Sequence, residues 1–567
     1  MTRPRATLLA SLLLVLPAPG LRAQATPPAE PEPIPAGVAA APGRYDFPVD
    51  VEHYDVELAL SDVADWIQGR ARLDVTLTAP WDGDLTLDFS GLAVEGVTVD
   101  GAAVRFVHVN GILRVPVSGT AGALRAVEIR YRGVPDDGLI LGRTVHGQPS
   151  VFADNWPDRA RFWFPAVDHP KDKATVSFTV HAPAAWSVIA NGELTGLPSA
   201  TPTARFGPPA SGARRTWSWR SGVPLPVYTM VVGAADFRVD TVGLAACGEG
   251  RALASSREDG CVAVTTWLFP ESVDSAAPSF VRAAAMVDHF TDLIGPFPYE
   301  KLANVQSSTR FGGMENASAI FYAEGALASG RNIEGTVSHE IAHQWFGDAV
   351  TEADWRHLWL SEGFATYFGA QFFEAADGVD DFRARMEESR QRYLSSEDVS
   401  RPVVVDEERD LFALLNRNNY QKGGWVLHML RSVMGDDAFF RGIRDYYARF
   451  VHGTALTDDL RQVMEEAHGA DLGWFFHQWL REPGYPVFRV EWEWDAEAGE
   501  ARVVIHQEQP AEWPTFRVPL DVELRLEGGA IRERFDITLP HEIVRVAAPS
   551  PPLDVVLDPD GWVLKGR

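Results

Sequence analysis

The chain is poor in cysteine, in positive charge and in long apolar runs. Only Cys247 and Cys261 occur among 567 residues. Nothing near either suggests metal binding, so pairing in an oxidising compartment is the expectation and two unpaired small residues the alternative. Lysine and arginine number 51 against 78 acidic residues, giving a net charge of −27 and a pI of about 5.0. A body of that sign repels phosphate, which argues against binding nucleic acid or anionic lipid. One apolar run, Ala6 to Leu16, follows the basic pair Arg3 and Arg5. It is short for a bilayer span, and no later segment is longer and as apolar, so no transmembrane segment is expected in the mature chain. Internal repeats are absent.

The start of the chain reads as a processing signal: a basic region, an apolar run, then small residues at Ala23 and Ala25. No Cys lies near, which excludes a lipid anchor at the cleavage point. Residues 1–25 are therefore expected to be a signal peptide, with export to the periplasm or beyond. Residues 26–43, rich in Pro and Ala, read as an extended linker.

From Tyr45 to about Val239 apolar residues alternate. Tyr54, Val56, Leu58 and Leu60 interleave with Asp55, Glu57 and Ala59, and Ala71, Leu73, Val75 and Leu77 with Arg72, Asp74 and Thr76. Period two with short turns predicts antiparallel sheets with one buried face. Helical spacing begins near Ser279, with Phe280, Met286 and Phe290, and continues with interruptions to Leu480. Leu302 to Ser308 instead reads as a strand. The tail returns to period two at Phe488, Val490 and Trp492 and from Val518 to Leu526. The expected architecture is multidomain α+β: an N-terminal antiparallel β domain at 44–241, an α/β domain at 242–484, and a C-terminal β-sandwich at 485–567.

The middle domain holds the densest chemistry. Asn332 to Gly347 reads NIEGTVSHEIAHQWFG and contains His339, Glu340 and His343, an H-E-x-x-H run. On a helix the histidines, four residues apart, share one face and reach one ion, and Glu340 reaches a water on that ion. Zinc favours such a site, with imidazole ligands, tetrahedral geometry and one position for water. Val337, Ile341 and Trp345 form a separate apolar stripe; Asn332 is placed to cap the helix and Gly347 to end it. A ligand at the H-x-x-G-x-x-H spacing fails, because Phe346 and Ala349 stand where Gly and His are required. Glu362, with 18 residues between it and His343, is the better third ligand. It opens a second amphipathic stretch marked by Phe364, Phe368 and Phe372; favourable charge at a helix start is the plainer explanation for Glu362 taken alone, and the H-E-x-x-H run beside it reverses that preference in favour of a ligand.

His339-Glu340-Ile341-Ala342-His343, the 18-residue gap and Trp359 to Ala365 (WLSEGFA) together resemble the M1 family of zinc aminopeptidases, the gluzincins. Gly312-Gly313-Met314-Glu315-Asn316 is similar to that family's G-x-M-E-N signature, and Tyr420-Gln421-Lys422-Gly423 to its Y-x-K-G segment. The resemblance implies one Zn2+ per chain on His339, His343 and Glu362, Glu340 as general base, and Tyr420 as donor to the oxyanion. It implies Gly312 to Asn316 as the substrate-binding segment, with Glu315 holding the substrate's cationic amine, and a thermolysin-like catalytic domain. Read without the family, Tyr420 is more simply a buried aromatic opening a helix, and G-G-M-E-N is as readily a strand with a turn. Phe311 walls either a side-chain pocket or the core.

Two departures stand out. Phe164 to Pro170 resembles the family's F-P-C-F-D-E-P segment, but Trp156 stands where the family has a second amine-binding Glu or Gln. Asp154 and Asn155 are the nearby substitutes. Some relatives also carry a helical-repeat domain after the β tail; this chain reaches Arg567 without one, which implies an open cleft with no clear group to grip a peptide's C-terminus. The expected partners are peptides with a free N-terminus. Three rivals are separable by experiment: a non-catalytic binding protein by metal content and an aminoacyl amide, an epoxide hydrolase by its need for a long lipid channel, and an internal protease by cleavage of a blocked peptide.

Overall fold

A computed structural model describes residues 36–40, 44–201 and 206–566. The reading of residues 1–25 as a leader, and most of the linker reading, lie outside the described residues. The described residues form one compact unit.

The alternating N-terminal stretches form β1 (Val49–Ala59), β2 (Ile67–Leu77), β3 (Leu124–Gly133), β4 (Lys173–Pro183) and β5 (Arg214–Pro226). They run β5-β4-β1-β2-β3 through the middle of a nine-stranded sheet. Tyr54, Val56, Leu58, Ala71, Leu73 and Val75 are all buried, on the face that period two predicts. β1 pairs antiparallel with β2, Tyr54 opposite Leu73 and Val56 opposite Ala71. It pairs parallel with β4, Val56 beside Phe178, which corrects the all-antiparallel expectation. Alternation sets which face is buried and carries no information on strand direction.

Next comes a five-stranded sheet, β6 (Arg238–Ala245), β7 (Val262–Leu268), β8 (Lys301–Ser307), β9 (Gly313–Met314) and β10 (Ala319–Ala323), in the order β6-β7-β8-β10-β9. β7, β8 and β10 are parallel, while β9 runs antiparallel along the edge beside β10. Cys247 and Cys261 are joined by a disulfide between β6 and β7. The helices α1 (Ala283–Leu293), α2 (Glu334–His343), α3 (Trp359–Ala376), α4 (Val379–Leu394) and α5 (Gly423–Met434) follow the same order as their apolar periodicity. Val337, Ile341 and Trp345 of the α2 stripe are fully buried, as are Phe364 and Phe368 of α3. At the end of the chain two three-stranded sheets bury Val503, Ile505, Leu520, Val522 and Leu524. Among the described residues no helix is long and apolar enough to cross a membrane.

Ala36 to Ala40 lie against the body. Gly37 N donates to the buried Asp158 (2.7 Å), Ala39 N to Arg409 O, and Leu411 N to Gly37 O.

Candidate metal centre

α2 begins where Asn332 Oδ1 accepts the Glu334 amide at 3.0 Å. Its four-residue repeat then brings His339 and His343 to one face, with their Nε2 atoms 3.1 Å apart. α3 crosses α2 with Glu362 in its first turn. Glu362 Oε2 lies 3.2 Å from His339 Nε2 and 3.3 Å from His343 Nε2. The three atoms thus form a near-equilateral triangle. A tetrahedral zinc with bonds of about 2.0–2.1 Å has edges of roughly 3.3 Å between its ligands. The donor set and its spacing therefore fit zinc.

Close backbone approaches create this geometry. A Cβ on Gly369 of α3 would lie 3.0 Å from the His339 Cα, so glycine there lets α3 sit against α2. Gly363 and Gly423 meet in the same way, a Cβ on either reaching 2.9 Å from the other's backbone. That contact brings in the π-helical turn Asn418–Lys422 just before α5, so the Tyr420 hydroxyl reaches Glu362 Oε1 at 2.7 Å. Gly313 on β9 faces the Glu340 carboxylate, and an added Cβ would fall 2.1 Å from Glu340 Oε1. The second glycine of G-G-M-E-N thus makes room for the acid. Gly347 has φ +118° and borders His343 and Ser361, so a side chain there would be strained as well as crowded.

Glu315, Glu340, His339, His343, Glu362 and Tyr420 all line one pocket of about 260 Å3. Trp156, Phe311, Met314 and Leu415 supply its apolar walls. Phe311 is thus at the pocket, edge-on to Trp156 with ring centroids 5.9 Å apart. Gly312 and Gly313 line it too, whereas Asn316 is fully buried and contributes no lining. Asp154 and Asn155 do not substitute for the missing carboxylate or amide at Trp156. Asp154 accepts from Arg159 (3.0 Å) and Thr309 (2.9 Å), and Asn155 bonds Met230 O and the Trp163 indole. Both are committed to the fold.

The charges are unusual. Burial pushes the Glu315 carboxyl up to about 7 and Glu340 well above the usual carboxylate range. Burial also opposes the Glu362 charge, yet His343 and His339 hold that carboxyl far below the usual range. Burial lowers His339, whereas the carboxylates of Glu315 and Glu362 outweigh it at His343 and raise that ring well above normal. Burial and the Glu362 charge both raise Tyr420.

Sequence reasoning leaves the supporting layer unseen. His343 Nδ1 is 3.1 Å from Phe346 O and 3.1 Å from Ser361 Oγ, contacts that fix its ring and turn Nε2 toward the metal position. Gln344 bonds Glu315 O and Asp348 Oδ2, tying the amine-side strand to the end of α2. Beneath lie Asp348 and Glu352; Asp348 Oδ1 and both Glu352 carboxylate oxygens are buried with no hydrogen-bond partner. Lys173, from β4, reaches under this layer but donates to the carbonyls of Asp348, Ala349 and Gly453, each at 2.9 Å. Those bonds use all three ammonium protons, leaving none for either carboxylate. The signal for Ser361 is its place beside Glu362; Lys173, Asp348 and Glu352 have none within the motifs.

Residues 283–479 match the family description "Peptidase family M1 domain". The chain is 25% identical over 474 residues to "Probable aminopeptidase 1" of Sulfurisphaera tokodaii, covering 79% of this chain and 55% of that protein. It is 28% identical over 493 residues to "Aminopeptidase N" of Streptomyces lividans, covering 81% and 53%. The chain thus spans about half the length of the curated relatives it matches. A crystal structure of an M1 zinc metallopeptidase from Deinococcus radiodurans superposes with a TM-score of 0.65 at 25% identity, over 76% of this chain and 93% of that one. The helices, the edge strand and the ligand triangle all fall within or beside the matched region, and residues 283–479 carry a peptidase family M1 domain.

Proposed function

We propose that this chain is a zinc-dependent aminopeptidase that removes N-terminal residues from peptides. The observation that carries the reading is one pocket holding both the His339–His343–Glu362 triangle and a separate buried carboxylate, Glu315. The triangle would hold one Zn2+, which when bound would act as a Lewis acid and lower a water's pKa to about 7. Glu340 takes the attacking water's proton and passes it to the leaving amine, a role suited to a raised carboxyl pKa. Tyr420 turns its hydroxyl from Glu362 to the oxyanion, where phenylalanine would have nothing to donate. Glu315 pairs with the substrate's amine, largely cationic near neutrality, and so sets the scissile bond one residue in. With Trp156 in place of a second polar anchor, amine recognition rests on Glu315, and the walls of Trp156, Phe311, Met314 and Leu415 favour an apolar first side chain.

The test compares leucyl peptides with free and acetylated N-termini. The wild type is expected to cleave only the free form, and Glu315→Ala to lose about a hundredfold in kcat/KM on it. Equal cleavage of the acetylated form by the wild type would point to an internal protease. Export is proposed on residues 1–25, and the Cys247–Cys261 disulfide accords with an oxidising compartment. Mass spectrometry of protein recovered from its native host checks it; a mature chain retaining residues 1–16 would refute it.

A further inference from the structure

A second, larger cavity opens beside the metal pocket. It measures about 440 Å3 and runs between α4 on one side and α2 and α3 on the other. His339, Thr336 and Tyr420 line both cavities, so the two adjoin beside the metal position. Glu315 and Trp156 belong only to the first. A peptide with its amine on Glu315 and its first carbonyl at the metal must therefore send its remaining residues past Tyr420. The larger cavity is the groove that receives them.

This groove is cationic although the chain carries −27 overall. Arg385, Arg392 and Arg417 line it against one acid, Glu388. Arg392 pairs with Glu388 at 2.5 Å. Arg385 lies flat on the Phe373 ring, 3.5 Å from its centroid, with its Nε on Asp381. Both are partly engaged. Arg417 is different. Its backbone N–H donates to Asp398, but its exposed side chain makes no hydrogen bond or ion pair among the described residues. It stands one helical turn before Tyr420, at the mouth of the groove.

We propose that this groove is a carboxylate-binding subsite for the departing part of the peptide, with Arg417 as the group that receives the carboxylate. The proposal rests on the aminopeptidase reading and deepens it: the preferred substrates are short peptides whose free C-terminus, or an acidic side chain, falls in the groove. A guanidinium suits this task because its planar fork matches a carboxylate with two parallel hydrogen bonds. The local positive field also offsets the repulsion that an acidic body exerts on an acidic peptide.

The experiment measures kcat/KM for Leu-Gly-Gly and its C-terminal amide, with leucyl p-nitroanilide as a substrate that carries no carboxylate into the groove. A second arm uses two amidated pentapeptides that differ only in Asp or Asn at the third position. In the wild type the free acid is expected to exceed the amide by about fivefold at low salt, shrinking as ionic strength rises. Arg417→Gln should bring the ratio near one, Arg417→Glu should invert it, and Arg417→Lys should restore part of it. An Asp preference in the second arm as well would assign the groove to any carboxylate; preference in the first arm alone would assign it to the C-terminus. Ratios of one in both arms, or a preference unchanged in Arg417→Glu, would overturn the subsite while anilide turnover left the aminopeptidase reading standing. No turnover of any of these substrates would remove both. Arg417 is exposed, so none of its variants threatens the fold.

Discussion

Two buried clusters of charge in this molecule are built on opposite terms. In the N-terminal β region Arg161 sits among acids: Asp158 at 3.0 Å, Asp168 at 3.1 Å and Asp88 at 4.0 Å. Those acids have further donors of their own, as the Gly37 amide bonds Asp158, Tyr45 bonds Asp88, and the Arg161 amide bonds Asp168. At the metal centre Glu315, Glu340, Glu362, Asp348 and Glu352 are also buried. Among the described residues the basic groups there are the two imidazoles, of which burial disfavours the charge on His339, and Lys173, whose protons are spent on carbonyls. The first cluster pairs its carboxylates with cations of its own chain, Arg161 and, for Asp88, Arg44. The second would be completed by the proposed zinc, and on that proposal its remaining like charges serve substrate and transition state. Burying charge is costly in both, but one cluster contributes a fixed shape and the other contributes reactivity.

The sharpest way to break this comparison is to neutralise one acid in the second cluster. Glu340→Gln keeps the shape, removes a like charge beside Glu315 and Glu362, and leaves all three ligands. Turnover is expected to fall by about a thousandfold or more, with zinc content and unfolding midpoint unchanged or higher. Loss of zinc, or a clear drop in stability, would mean that Glu340 is structural like the acids around Arg161.

The mirror experiment is Arg161→Ala. Removing Arg161 leaves the buried Asp158 and Asp168 without their ion-pair partner and Asp88 with Arg44 alone (3.0 Å), and unfolding in urea should show a loss of about 3–5 kcal/mol. Zinc content of the folded protein should not change. A loss under 1 kcal/mol would show that water reaches this cluster and that the two regions differ less than their burial implies.

These two experiments also mark what was legible in the sequence. His339, Glu340, His343 and Glu362 are legible because the helical period fixes which side chains share a face and a short connection fixes which helices meet. The N-terminal strands are legible for the same kind of local reason. Strand direction is not, since Val56 alternates identically whether its neighbour runs with it or against it. Nor is the layer under the metal. Lys173 lies on a β-domain strand far from the H-E-x-x-H run, and no local pattern ties it to Asp348. Asp154 and Asn155 look available in sequence because their partners, Thr309 and Met230, are distant in the chain. The role of Gly313 depends on the Glu340 carboxylate lying against it, which becomes visible only in three dimensions.

Tyr420 tests whether the second cluster includes groups that act only in the transition state. Tyr420→Phe removes one hydroxyl and retains the ring beside His339. The expected loss is about a hundredfold to a thousandfold in kcat with KM nearly constant. A matching rise in KM with kcat preserved would instead make Tyr420 part of ground-state binding.

The smallest expected effect lies one shell out, where the two clusters are most alike, because there the metal centre too is held by ordinary hydrogen bonds. Ser361 Oγ and Phe346 O share His343 Nδ1, each at 3.1 Å. Removing the hydroxyl leaves the carbonyl to accept from the ring, so orientation is weakened and not lost. Ser361→Ala should therefore weaken zinc affinity by about tenfold, the low end for such supporting contacts, while kcat at saturating zinc stays close to wild type. Competition with a metal chelator measures the first quantity and steady-state kinetics the second. Unchanged affinity would mean that Phe346 O alone fixes the ring, and that Ser361 is small only because Gly347 passes so close: a Cβ on that glycine would stand 2.4 Å from Ser361 Oγ.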